Sequence, residues 1–387
     1  MNKIAAVGIL LFLALSDVGP GVAQALPKSD GYRMLKMNDA KFKDWLLRWE
    51  RNILSENSMH YCSSEMGEEL GWGMSVFFSG FYYGYLATGN ILWVDRLVAC
   101  TDAWIKRAVK EPDGYLGWPK VGAAGTKVDN LDDFYADSML GEAMALAPVA
   151  LMAAEIRRTP LLKEKYGSKA EDYITFAEQI FEKWDTRGVW RETDNGGMVT
   201  VELPFGIDQK TGNWTGEYER RNAPGVGFSH QDNKANLIAN WLLAMFDATA
   251  KPVYRERAEK WFRVMKSRMK LKHDGTYEIW DYWETAGAWD YTSSGLPKHW
   301  IGVHPNAAYY DIDVEAIVAA YKHGLVFNKD DINRLVATSI AERRYWTALV
   351  PFDVTIQKQF EDTLDPSRWG GLSRAPWYLA IQLRKAP

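Results

Sequence analysis

Apolar residues recur along the chain at the three-and-four spacing of helices rather than the two-residue alternation of strands. The spacing predicts helices over Asn38–Ser55, Glu68–Thr88, Ile91–Lys110, Asp132–Arg157, Lys169–Trp184, His230–Ala250, Pro252–Leu271, Ala307–Gly324, Lys329–Trp346 and Pro376–Leu383; Met198–Leu203 is the best strand candidate. Asp132–Arg157 and His230–Ala250 are apolar nearly all round, and a helix without a polar face has to be surrounded by protein. Pro252–Leu271 keeps a polar face and belongs outside. An inner ring of apolar helices alternating with an outer amphipathic ring is an all-α, (α/α)6–7 toroid.

Turn chemistry agrees. Asp113-Gly114-Tyr115, Arg187-Gly188-Val189-Trp190 and Asp274-Gly275-Thr276-Tyr277 each place Gly and then an aromatic residue after a helix. Gly supplies the left-handed backbone that ends helices. Nothing resembles an interdomain linker, so residues 26–387 are expected to form one domain. Residues 1–25 are a separate object: Lys3, the apolar run Ile9–Leu15 and the small-x-small site Ala23-Gln24-Ala25 read as a cleaved signal peptide. Export to the periplasm or medium follows. No later segment is a run of apolar residues long enough to span a bilayer, and the expected state is a monomer.

The 387 residues carry a net charge of −4 and no basic stripe, which argues against a nucleic-acid partner. Two cysteines, Cys62 and Cys100, leave a disulfide and two buried thiols equally open. No cofactor loop and no metal-ligand spacing is present, so neither cofactor nor metal is expected. Tryptophan is the unusual feature, with 18 in the chain. Several lie beside Gly, Pro or Asp in loops: Trp118, Trp214, Trp283, Trp289, Trp300 and Trp369. Flat rings in loops suit stacking on sugars.

Two segments could carry chemistry. In the first, Arg220 and Arg221 precede a Gly-rich approach to His230-Gln231-Asp232-Asn233-Lys234, at the start of a buried helix. His230, Asn233 and Asn240 share a face there, and a helix N-terminus favours an anion. In the second, His304-Pro305-Asn306 opens a helix whose apolar stripe runs Tyr310, Val314, Ile317, Val318 and Tyr321, turning Tyr310 inward and Tyr309 aside. A phenol, two imidazoles, an amide and a guanidinium pair suit β-elimination from a uronic acid. A neutralised carboxylate acidifies C5–H, and Tyr or His takes the proton.

An exported toroid with His and Asn opening one inner helix and Tyr another resembles the alginate lyase-type polysaccharide lyases. The HPNAAYYDIDVEAI segment is most similar to polysaccharide lyase family 38, which cuts alginate or glucuronan. The resemblance implies Tyr310 as base and acid. It leaves the carboxylate neutraliser among His304, His230, Asn233 and Arg221. From the residues themselves, Arg220, Arg221, Lys234, Tyr309, Trp118, Trp300 and Trp369 are expected to bind an acidic polysaccharide. The rival reading is a glycoside hydrolase on the same barrel, with a pair drawn from Asp132, Asp133, Glu142, Glu284, Asp290 and Asp313. A sugar epimerase and a non-catalytic glycan-binding protein are the remaining readings.

Overall fold

The computed structural model describes residues 35–383 apart from 112, 122–133, 201–204, 208–213 and 219–226; side chains are described outside 120–136 and 201–226. The helices, in chain order, are α1 (Asp39–Ser55), α2 (Ser58–Ser64), α3 (Ser75–Thr88), α4 (Leu92–Lys106), α5 (Met139–Arg158), α6 (Pro160–Thr186), α7 (Asp232–Thr249), α8 (Pro252–Arg268), α9 (Ala308–Lys322), α10 (Lys329–Ala341), α11 (Val354–Thr363) and α12 (Gly371–Leu383).

They form the all-α toroid. α3, α5, α7 and α9 pack in that order, and α12 packs back on α3. Arg374 of α12 reaches Asp311 of α9 at 2.6 Å, drawing the ends of the ring together. α4, α6, α8 and α10 lie outside α3, α5, α7 and α9, and α1 lies outside α12. Between α9 and α12, the buried one-turn segment Thr347–Leu349 packs against α9, α10 and α11.

Local chemistry explains where several elements begin. The sequence reading starts the last helix at Pro376, yet α12 begins five residues earlier. A proline inside a helix leaves the carbonyl four residues back without its partner. Here that carbonyl belongs to Leu372, and it accepts the Trp49 indole N–H at 2.8 Å. The helix expected from Asp132 begins at Met139, capped by Ser138, whose hydroxyl accepts the Gly141 N–H at 3.1 Å. A Cβ on Gly141 would sit 2.2 Å from the Gly67 carbonyl, so only glycine lets the two segments approach. Of the strand expected over Met198–Leu203, Met198 and Val199 belong to a hairpin between β1 (Trp190–Thr193) and β2 (Gly196–Val199), while 201–203 lie outside the described residues; α2 and α11 are additional elements.

α5 is long and apolar enough to cross a membrane, but 78% of that window is buried in protein, chiefly against α3, α6 and α7. Connections from an inner helix to the next outer one are short: 89–91, 159, 250–251 and 323–328. Those from an outer helix to the next inner one, 107–138, 187–231 and 269–307, are long and carry the described strands. The N-termini of the inner helices therefore share one elaborated end, the mouth of the ring.

Candidate functional site

The 269–307 connection builds an aromatic wall at the mouth. Tyr282 is its centre: Trp300 stacks on it with centroids 5.6 Å apart and planes 15° from parallel, and Tyr309 stacks at 5.1 Å and 25°. His304 touches both Tyr282 and Tyr309, at 4.8 and 4.7 Å. Trp300 remains 47% exposed, so one aromatic face is open to a ligand. The wall is anchored to α7, because the Tyr282 carbonyl accepts the Asp232 N–H at 3.0 Å and the Trp283 indole donates to the Ser229 carbonyl at 2.7 Å. Trp283 also lies flat on His299, 4.1 Å away and 5° from parallel.

The candidate carboxylates are in different states. Asp290 is buried and accepts the Ser229 N–H at 2.8 Å, the Ser229 hydroxyl at 2.7 Å and the Ala286 N–H at 2.7 Å. Those donors, with His299, outweigh burial and hold it down at about 2. Its job is to latch a loop. Glu142 is equally occupied, by the Lys183 ammonium at 2.6 Å and the Trp184 indole at 2.6 Å. Asp313 accepts from Asn236 at 2.8 Å and Trp280 at 2.9 Å, and burial pushes it up to about 7. Asp232 pairs with Arg268 inside the wall between α7 and α8, and burial lifts it to about 8. Glu284 differs: it is partly exposed, stands 3.8 Å from the Arg268 guanidinium, and is raised by burial against that cation's pull. Asp132 and Asp133 lie outside the described residues.

The residues singled out from sequence have different fates. His304, Tyr309 and Trp300 meet in the aromatic wall. His230, Asn233 and Lys234 stand at the start of α7, tied to that wall through Tyr282. His230 and Asn233 are buried, and Lys234 pairs with Glu68 at 3.1 Å. Trp369 is 41% exposed on the α3–α12 side of the rim, against Tyr61 and Phe77. Arg220 and Arg221 lie outside the described residues, as does the side chain of Trp214.

Two assignments are corrected by burial. Trp118 is fully buried, stacked on Trp104 at 4.3 Å with its indole donating to the Trp104 carbonyl at 2.9 Å, so it is core and presents no face to a sugar. Tyr310 is also fully buried; its hydroxyl accepts the His304 N–H at 2.8 Å, and burial pushes the phenol above its ordinary range. A base must touch the carbon-bound proton it removes, and this phenol touches protein on every side. Tyr282 was missed, having no signal in the sequence beyond its place in an aromatic-rich loop.

No family model matches the chain, and no curated protein is similar to it in sequence. Among solved structures, it is similar to a family 76 glycoside hydrolase from a bovine Bacteroides thetaiotaomicron strain, at 11% identity and TM-score 0.48 over 89% of this chain and 78% of that one. A family 76 mannosidase from Bacteroides thetaiotaomicron VPI-5482 gives 12% and 0.47 over 87% and 98%. The α-1,6-mannanase of Salegentibacter sp. HEL1_6 gives 10% and 0.46 over 89% and 97%. These neighbours are hydrolases, not polysaccharide lyases. The burial of Tyr310 overturns the uronate β-elimination, and with it the resemblance to polysaccharide lyase family 38 that made Tyr310 the base.

Proposed function

We propose that the chain is an exported glycoside hydrolase that holds a glycan across the mouth of the ring. The observation that carries the reading is the open Trp300 face stacked on Tyr282, with the partly exposed Glu284 two residues further along the same loop. Aromatic rings bury the apolar faces of sugars, while carboxyl groups pushed above their ordinary range can donate a proton near neutral pH. In hydrolysis one carboxylic acid protonates the leaving oxygen, and a second carboxylate directs water to, or itself attacks, the anomeric carbon. Asp132 and Asp133 stay candidates for that second role on sequence alone.

A neutral glycan fits better than an acidic one. Lys234, Arg268 and Arg374 are each engaged by a carboxylate, Glu68, Asp232 and Asp311 respectively. The Cys62–Cys100 bond supports the export half of the proposal, since disulfides persist in oxidising compartments.

The test is to incubate the mature protein with a panel of neutral oligosaccharides and polysaccharides and to measure new reducing ends. α-1,6-Mannan, the polymer for which one solved neighbour is named, heads the panel. Reducing ends without an unsaturated product are expected. An unsaturated product, or no release from any glycan in the panel, would overturn the reading.

A further inference from the structure

The inner helices each turn one line of residues toward the centre of the ring. On α9 the positions Tyr310, Asp311, Asp313, Val314, Ala316, Ile317, Val318 and Ala320 are buried, while Ile312, Glu315 and Ala319 keep accessible surface. The buried positions pack against α7, α8, α10 and the Thr347–Leu349 turn. The accessible line therefore faces the lumen. The same reading places Lys234, Leu237 and Asn240 of α7, and Met144, Ala147 and Leu151 of α5, on lumen lines. Glu315 stands on its line two turns below the aromatic mouth.

Resting on the glycoside hydrolase reading, we propose that Glu315, rather than the rim residue Glu284 that the Arg268 guanidinium faces at 3.8 Å, is the catalytic acid, the group that protonates the departing glycosidic oxygen. Its side chain is exposed on the lumen line, and among the described residues no hydrogen bond or ion pair holds it. The other carboxylates of α9 are committed. Asp311 is engaged by Arg374 at 2.6 Å and by the Thr347 N–H and hydroxyl, and Asp313 by Asn236 and Trp280. The charged groups facing Glu315 are Asp311, one turn nearer the mouth, Arg374 from α12, and Lys322 further down α9. The surrounding protein walls push the Glu315 carboxyl up, Asp311 adds to this, and Arg374 and Lys322 oppose it. Such a group keeps its proton further toward neutral pH than a free glutamate does. In the step it gives that proton to the leaving oxygen as the anomeric C–O bond breaks. A second carboxylate then has to assist attack at the anomeric carbon, and the proton released by water restores the acid.

The experiment compares wild-type protein with Glu315→Gln and Glu315→Asp on the glycan identified by the panel and on the matching dinitrophenyl glycoside. A leaving group that needs no protonation bypasses the acid. Glu315→Gln should lower kcat on the natural glycan by roughly 100- to 10,000-fold, with KM little changed, and cost far less on the dinitrophenyl glycoside. It should also remove the alkaline limb of the pH–rate profile, while Glu315→Asp retains part of the rate. Equal losses on both substrates, or wild-type kcat on the glycan, would overturn Glu315 and leave the hydrolase reading standing. If the wild-type protein cleaves nothing in the panel, both fall together. Thermal melts of the variants separate misfolding from lost chemistry.

Discussion

The Tyr310 hydroxyl accepts the backbone N–H of His304 at 2.8 Å, across the turn that opens α9. The bond fixes the loop that carries His304 against Tyr309 and Tyr282. Removing the hydroxyl leaves a partly buried N–H without an acceptor, which costs about 1–3 kcal/mol. Tyr310→Phe should therefore lower the denaturation midpoint while leaving kcat near wild type. A collapse of kcat at unchanged stability would return Tyr310 to the chemistry.

Trp118 and Trp300 make a matched pair of tests. Both stand beside glycine, proline or other loop residues in sequence, yet one is fully buried and the other 47% exposed. Trp118→Ala removes a ring packed on Trp104 and Phe176, and a buried tryptophan replaced by alanine costs about 3–5 kcal/mol. Trp300→Ala should change stability by no more than about 0.5 kcal/mol. It should instead raise KM roughly five- to tenfold, because a lost stacking contact is worth about 1 kcal/mol. Melting curves and steady-state kinetics on the same two proteins settle both points.

The ring was legible because its signal is spread over whole helices: α5 and α7 are apolar nearly all round, whereas α8 shows a polar face. The site was less legible because two of its distinctions depend on tertiary packing. A loop tryptophan reads the same whether the neighbouring chain covers it, as at Trp118, or not, as at Trp300. On an inner helix, moreover, the apolar stripe marks the packed sides and not the lumen. Following the stripe led to Tyr310, while Glu315 lay on the less apolar face. His304, Tyr309 and Trp300 were found because they cluster beside one helix start.

Buried carboxyls give the protein a pH dependence with a definite sign. Burial raises Asp232 to about 8, Asp313 to about 7 and Glu111, beside Asp137, to about 8. In the unfolded chain such groups titrate near pH 4. Between those limits the folded protein holds protons that the unfolded chain has released, so stability falls as pH rises from about 4 to about 8. Asp290 and Asp137, held at about 2, act oppositely and only below about pH 4, where their stabilisation is lost on acidification. Urea midpoints should therefore be higher at pH 5 than at pH 8. Asp313→Asn should flatten that slope whatever it does to the absolute midpoint. A slope unchanged by the substitution would mean that Asp313 is ionised in the folded protein.

Cys62 of α2 and Cys100 of α4 form a disulfide with Cα atoms 5.3 Å apart, and both residues are fully buried. The sequence left the pair open, because each cysteine lies in an apolar helical stretch where a thiol would pack as well. The bond closes a loop of 38 residues, and chain entropy alone assigns a closure of that length about 4 kcal/mol. α2 is short and meets the ring through α4 and the Leu70–Met74 turn, so the bond is a main tie holding it. The double substitution Cys62→Ala, Cys100→Ala should lower the melting temperature and expose the 56–66 segment to proteolysis before the rest of the chain. Reductant added to the folded wild-type protein should act only slowly, because neither sulfur is accessible until α2 opens. Equal melting temperatures for the double variant and wild type would show that packing alone holds α2.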